Sequence, residues 1–99
     1  LKSLGFKCTI LNFKDKNTPA IKNLYARLGT SSPNFCFAGH TDVVPTGNPK
    51  SWDVGPFSGI VKNGKIYGRG TSDMKGGIAC FIAAVSEFIK DKKKFKESF

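Results

Sequence analysis

The chain is short of several residue types. It has one histidine, one tryptophan and one methionine, three cysteines, and only 7 Asp+Glu against 16 Lys+Arg. The cysteines, Cys8, Cys36 and Cys80, are an odd number with no Cys-x-x-Cys pair, which argues against a disulfide framework. Each falls in an apolar segment, so buried, reduced thiols of a cytosolic protein are expected. No apolar run reaches the roughly 18 residues of a membrane span, and the first residues show no basic-then-apolar pattern, so no membrane partner is expected.

The formal charge of +9 raises the question of nucleic acid. Its distribution argues against that partner, because the basic residues are scattered except for Lys90, Lys92, Lys93, Lys94 and Lys96, which read as a solvated helix face or tail. No aromatic residues interleave a basic strand to make a base-stacking platform. At 99 residues the sequence is one domain at most. It opens on Leu1 and closes just after a lysine-rich helical pattern, and is expected to be a piece of something longer.

Leu1 to Gly5 reads as a last helical turn stopped by glycine. Phe6, Cys8 and Ile10 alternate with polar residues towards Phe13, the period of a half-buried strand. Asp15 to Pro19 is turn chemistry, and a second strand is expected over Asn23–Leu28. Asn34–Gly39 is apolar on both faces and predicts a third, central strand. Val44 to Gly59 reads as a long irregular excursion. Asn63-Gly64 splits two short apolar runs into a hairpin. From Met74 onward, Ile78, Phe81, Ile82, Val85 and Ile89 make an amphipathic helical stripe, with Ala79, Ala83 and Ala84 on a second face suited to close packing on a sheet. The fold class expected is α/β.

His40 and Asp42 lie two residues apart at the C-terminal end of the third expected strand, so their side chains point the same way. A carboxylate there can accept the second imidazole N–H and fix the ring as a metal ligand. Asp73 arrives where a hairpin runs into a helix, the kind of position at which open α/β sheets place their sites. Imidazole and carboxylate together suit a hydrolytic zinc ion. Residue types alone leave a second reading open, in which His40 is a satisfied structural residue and Asp73 caps the helix. The turn Gly68-Arg69-Gly70-Thr71-Ser72-Asp73 is not a nucleotide loop, since it lacks a third glycine and no Gly-Lys-Ser/Thr follows. Gly76 and Gly77 fit close-packing positions.

The two segments Phe37-Ala38-Gly39-His40-Thr41-Asp42-Val43-Val44-Pro45 and Tyr67-Gly68-Arg69-Gly70-Thr71-Ser72-Asp73-Met74-Lys75-Gly76, with Trp52 and Pro56-Phe57 between them, resemble the paired signatures of the M20 family of dinuclear zinc amidohydrolases and peptidases. The resemblance runs from about Asn23 to Phe88. It implies a catalytic domain with a central mixed sheet flanked by helices, of which residues 1–99 are an N-terminal portion. It implies two zinc ions per full-length subunit, with cobalt as an alternative in one site. His40 is then a terminal ligand of one zinc, Asp73 bridges both, Asp42 is the catalytic-site aspartate that orients His40, and the peptide after Asp73 is cis.

The family's adjacent Glu-Glu pair, its later acidic ligand and its distant histidine have no counterpart here, where the only glutamates are Glu87 and Glu97. The chain by itself is therefore expected to be inactive. The function implied for the full-length protein is a cytoplasmic, homodimeric amide hydrolase acting on a small molecule. Likeness is greatest to members that remove succinate from N-succinyl-LL-2,6-diaminoheptanedioate, on the route to diaminopimelate and lysine. An acetylornithine-type deacylase is the nearest alternative, and a non-catalytic basic binding module is the alternative from another class.

Overall fold

The computed structural model describes residues 1–91 and 96–99. The chain forms two units, Leu1–Phe37 with Val85–Phe99, and Ala38–Ala84. Of the lysine run, Lys92, Lys93 and Lys94 lie outside the described residues.

In the first unit a 3-10 turn over Lys2–Leu4 ends at Gly5, whose φ of 90° is left-handed and whose N–H donates to the Lys2 carbonyl at 3.0 Å. A residue without Cβ takes this conformation at no steric cost, which is why the turn stops there. Strand β1 (Lys7–Asp15) pairs antiparallel with β2 (Thr18–Arg27), from Lys7 opposite Arg27 to Asp15 opposite Thr18, with an irregularity between Phe13 and Asp15. The second strand starts earlier than Asn23, and the turn contracts to Lys16-Asn17. Pro19 is tolerated inside it because, in a two-stranded ladder, half of each strand's N–H groups face outward and need no partner strand.

The central strand expected over Asn34–Gly39 does not form. The segment carries one parallel bridge, between Asn34 and Ser98. Apolar side chains make a strand only where another strand supplies a ladder, and the described strands close on each other as two separate two-stranded sheets. What ties this segment down is the end of the chain. Ser98 is fully buried; its hydroxyl donates to the Ser31 carbonyl at 2.6 Å and accepts from the Asn34 amide at 2.8 Å. Leu28 and Phe99 exchange both backbone hydrogen bonds, at 2.8 and 2.9 Å. The Phe88 ring meets Phe99 edge-on, 5.6 Å between centroids.

Phe6 and Val85 are the buried apolar side chains among the described residues, while Ile10, Phe13, Ile21 and Leu24 on the β1–β2 hairpin are each more than half exposed. The thiols follow the same rule, against expectation. All three are free, but Cys8 is half-buried and Cys36 and Cys80 are exposed. Burying a thiol takes packed neighbours over its segment: Cys8 lies on a two-stranded sheet, which supplies no second layer by itself, while Cys36 lies on irregular chain and Cys80 on an exposed face of the helix that follows.

The second unit opens with irregular chain, interrupted by a 3-10 turn at Pro49–Ser51 that Asn48 caps by accepting the Lys50 N–H at 3.0 Å. Strands β3 (Ile60–Lys62) and β4 (Lys65–Tyr67) follow as the expected hairpin. Asn63 and Gly64 both have positive φ, 52° and 71°, the two left-handed residues that a twist-matched tight turn needs.

Helix α1 (Gly76–Asp91) starts two residues later than Met74, after a wide turn over Thr71–Lys75 closed by the Gly76 N–H on the Thr71 carbonyl. Inside that turn Asp73 (φ −123°, ψ 100°) and Met74 (φ −136°, ψ 23°) are not helical, and the Asp73–Met74 peptide is cis. Along α1 the expected apolar stripe is its least exposed face, with Val85 buried, whereas Ala79, Ala83 and Ala84 are exposed. Among the described residues no helix is long and apolar enough to cross a membrane.

Candidate functional site

His40, Asp42 and Asp73 all belong to the second unit. The extended chain after Gly39 presents His40, and the non-helical turn before α1 presents Asp73 instead of folding it into the first helical turn as a cap. The two meet across 33 residues of sequence: His40 Nε2 lies 3.2 Å from Asp73 Oδ1. On the other side of the ring, Nδ1 lies 3.1 Å from the Asp42 backbone carbonyl and 3.4 Å from its carboxylate. Asp42 meets the ring through its main-chain carbonyl, with its carboxylate as the nearby charge.

Two acceptors on opposite ring nitrogens are both satisfied only by the doubly protonated imidazolium. The His40 pKa is accordingly raised above 6.5, first by the hydrogen bond to the Asp42 carbonyl and then by the charges of Asp42 and Asp73, with some opposition from desolvation. A raised folded-state pKa means that the protonated pair stabilises the metal-free fold fully below the ordinary histidine pKa, and that this contribution is lost as pH rises through the folded value. The side chains are 49% (His40), 92% (Asp42) and 88% (Asp73) exposed, so solvent screens the pair and its contribution is small. The expected result is a His40 imidazole titration, followed by NMR in metal-free protein, with its midpoint above the ordinary value and moving back towards it in Asp73→Asn. A midpoint at or below the ordinary value would contradict this geometry.

The same atoms answer whether a metal fits. With Nδ1 protonated and held by the Asp42 carbonyl, the Nε2 lone pair faces the Asp73 carboxylate, and a cation can take the place of the Nε2 proton. Two donors each about 2.0–2.2 Å from a tetrahedral zinc lie about 3.3 Å apart, close to the separation found here. The donor set is also chemically apt, but incomplete. Among the described residues no group of three or more His, Cys, Asp or Glu side chains converges. His40, Asp42 and Asp73 line a cavity of about 200 Å³ with Val43, Val44, Gly68, Arg69, Gly70 and Ser72. Gly70 (φ 81°) allows the close approach of its walls, since a Cβ there would stand 2.6 Å from Val43 Cγ1.

Sequence reasoning missed Arg69 and Trp52 as a pair. The guanidinium lies over the indole, 5.1 Å from its centroid, and a terminal nitrogen donates to the Pro45 carbonyl at 3.4 Å. The indole N–H in turn donates to the Thr46 carbonyl at 2.9 Å. The only local hints were an arginine between two glycines and a lone tryptophan inside the irregular stretch.

Residues 36–99, which carry all three site residues, match peptidase family M20/M25/M40. The chain belongs to that family. Family M20 peptidases generally use metal ions. The chain is 57% identical over 90 residues to the succinyl-diaminopimelate desuccinylase of Rhodospirillum centenum, covering 91% of this chain and 23% of that protein. It is 52% identical over 98 residues to the succinyl-diaminopimelate desuccinylase of Pelagibacter ubique, covering 99% of this chain and 26% of that protein. The protein of the same name from Parvibaculum lavamentivorans is 50% identical over 91 residues, 92% of this chain and 23% of its own length. The chain thus spans about a quarter of the length of the curated relatives it matches.

Proposed function

We propose that these 99 residues are the N-terminal part of the catalytic domain of a succinyl-diaminopimelate desuccinylase. The full-length enzyme hydrolyses N-succinyl-LL-2,6-diaminoheptanedioate to succinate and LL-2,6-diaminoheptanedioate, as a cytoplasmic homodimer serving diaminopimelate and lysine biosynthesis. The observation that carries this reading is the 3.2 Å approach of His40 Nε2 to Asp73 Oδ1 in a chain at least half identical to desuccinylases.

His40 through Nε2 and Asp73 through its carboxylate would hold the metal, two zinc ions in the full-length enzyme with cobalt as an alternative in one site. When bound, the metal pair supplies a Lewis acid for the amide carbonyl and lowers the pKa of a coordinated water. The Asp42 carbonyl keeps the proton on Nδ1, which leaves Nε2 free to ligate, and the Asp42 carboxylate supports the positive charge that the ring acquires on ligation. The general base and the remaining ligands belong to the longer protein, and the 99-residue piece by itself is inactive.

Side-by-side turnover of the succinylated diaminopimelate and of N-acetylornithine by the full-length enzyme tests the substrate. The expected outcome is a preference in kcat/KM of about 100-fold or more for the succinyl compound, because a site that pairs the succinate carboxylate leaves buried polar groups unpaired with an acetyl group. Equal turnover, or preference for the acetyl compound, would reassign the enzyme within the family.

A further inference from the structure

The two segments that bring His40 and Asp73 together are not joined by a shared strand ladder. His40 lies on the irregular run that continues through Pro45 and Thr46, and Asp73 lies on the turn that follows Gly68-Arg69-Gly70. What connects them beside the cavity is Arg69. Its backbone N–H donates to the Pro56 carbonyl at 2.6 Å, its terminal guanidinium nitrogen to the Pro45 carbonyl at 3.4 Å, and its guanidinium carbon lies over the Trp52 ring, 5.1 Å from the centroid. Trp52 closes the loop by donating to the Thr46 carbonyl at 2.9 Å. A guanidinium suits this position because it can stack and donate at the same time, which an ammonium does poorly.

Arg69 Nε is shut off from solvent and has no hydrogen-bond partner among the described residues. A buried donor left unpaired is unfavourable, and such groups are rare enough that each calls for a reason. A guanidinium moved into water would satisfy that nitrogen but would release both Pro45 and Trp52.

We propose that Arg69, acting through Trp52 and the Pro45 carbonyl, is a positioning residue that sets the separation of His40 from Asp73, and hence the metal affinity of the site. This rests on the metal reading given above. Arg69 touches no reacting atom in this role. It fixes the chain on which one ligand sits relative to the chain on which the other sits.

The test uses the full-length protein, with zinc affinity measured by chelator competition in metal-free samples, urea unfolding midpoints, and kcat and KM after saturation with zinc. Arg69→Met, which keeps the stem and removes the cation and its donors, is expected to bind zinc about 10–100-fold more weakly, the usual effect of removing a group that orients a ligand. Arg69→Lys is expected to recover part of that loss, since it restores charge over the ring without the fork. Trp52→Phe, which keeps an aromatic face but loses the donor to Thr46, is expected to fall between Arg69→Met and the parent. Saturating zinc should restore kcat in Arg69→Met.

Parental zinc affinity in Arg69→Met, with zinc lost in His40→Ala and Asp73→Ala, overturns the role of Arg69 and leaves the metal assignment standing. A midpoint that collapses in Arg69→Met and in Arg69→Lys alike, with zinc affinity falling only in proportion, also overturns it, because Arg69 would then be a general structural residue. Zinc retained by His40→Ala and Asp73→Ala overturns the metal assignment and this inference with it.

Discussion

His40→Ala in the full-length protein is expected to lose its bound zinc and its desuccinylase activity together while keeping its stability. Removal of a residue that merely orients a ligand costs about 10–100-fold in metal affinity or activity, so removal of a ligand itself should exceed about 100-fold in both. Asp73→Ala should do at least as much, since the bridging role proposed for it touches both ions. The stability half of the prediction follows from exposure. His40 is half exposed and Asp73 nearly fully so, and substitutions at such positions usually change stability by no more than about 0.5 kcal/mol. Atomic emission and activity on purified parent and variants, with urea midpoints compared in metal-free samples so that loss of bound zinc does not itself lower them, separate the effects. Full zinc and full activity in His40→Ala would return His40 and Asp73 to a structural role. A midpoint lost in the metal-free samples as well would make them part of the fold instead of the site.

Gly76→Ala is expected to destabilise the protein by about 1–3 kcal/mol, the range for forcing extra atoms into a filled space. The sign is the informative part. Gly76 has φ −60° and ψ −44° at the start of α1, an ordinary helical conformation, in which replacing glycine by alanine normally stabilises by about 0.4–1 kcal/mol. Here the space for a Cβ is already taken by the Thr71 carbonyl oxygen, the same oxygen that accepts the Gly76 N–H and closes the Thr71–Lys75 turn. That neighbour is main chain and cannot swing aside as a long side chain would. Relief must come from moving the turn that carries Asp73, so zinc affinity should fall with the urea midpoint. A stabilised Gly76→Ala would mean that the turn adapts freely and that Asp73 is not held by it. Gly70, at the other end of the same turn and on the cavity wall, makes the complementary case, where a positive φ and the Val43 methyl both exclude a side chain.

The features that the sequence determined by itself are those whose cause is local. Asn63-Gly64 dictates a tight hairpin because only those two positions need left-handed backbone. Gly5 stops a turn for the same reason, and the spacing of Ile78, Phe81, Ile82 and Val85 marks the least exposed face of α1 before any partner is known. The paired segments around His40 and Asp73 carried the family. Other expectations needed neighbours that spacing cannot supply. Asn34–Gly39 has the side chains of a central strand, yet hydrogen-bonded neighbours make a strand, and its one bridge is to Ser98. Cys36 and Cys80 sit in apolar surroundings along the chain but are exposed in space, because burial is a property of packed layers. Only the tertiary structure decided that His40 Nδ1 is held by a main-chain carbonyl, that the helix waits until Gly76 so that Asp73 turns towards the imidazole, and that Arg69 reaches Trp52 and Pro45. The Asp73 and Arg69 contacts join atoms distant in sequence, the late helix start sets a backbone path against a side chain's capping preference, and the Asp42 contact turns on which of two neighbouring acceptors the chain presents; a one-dimensional pattern carries no term for these.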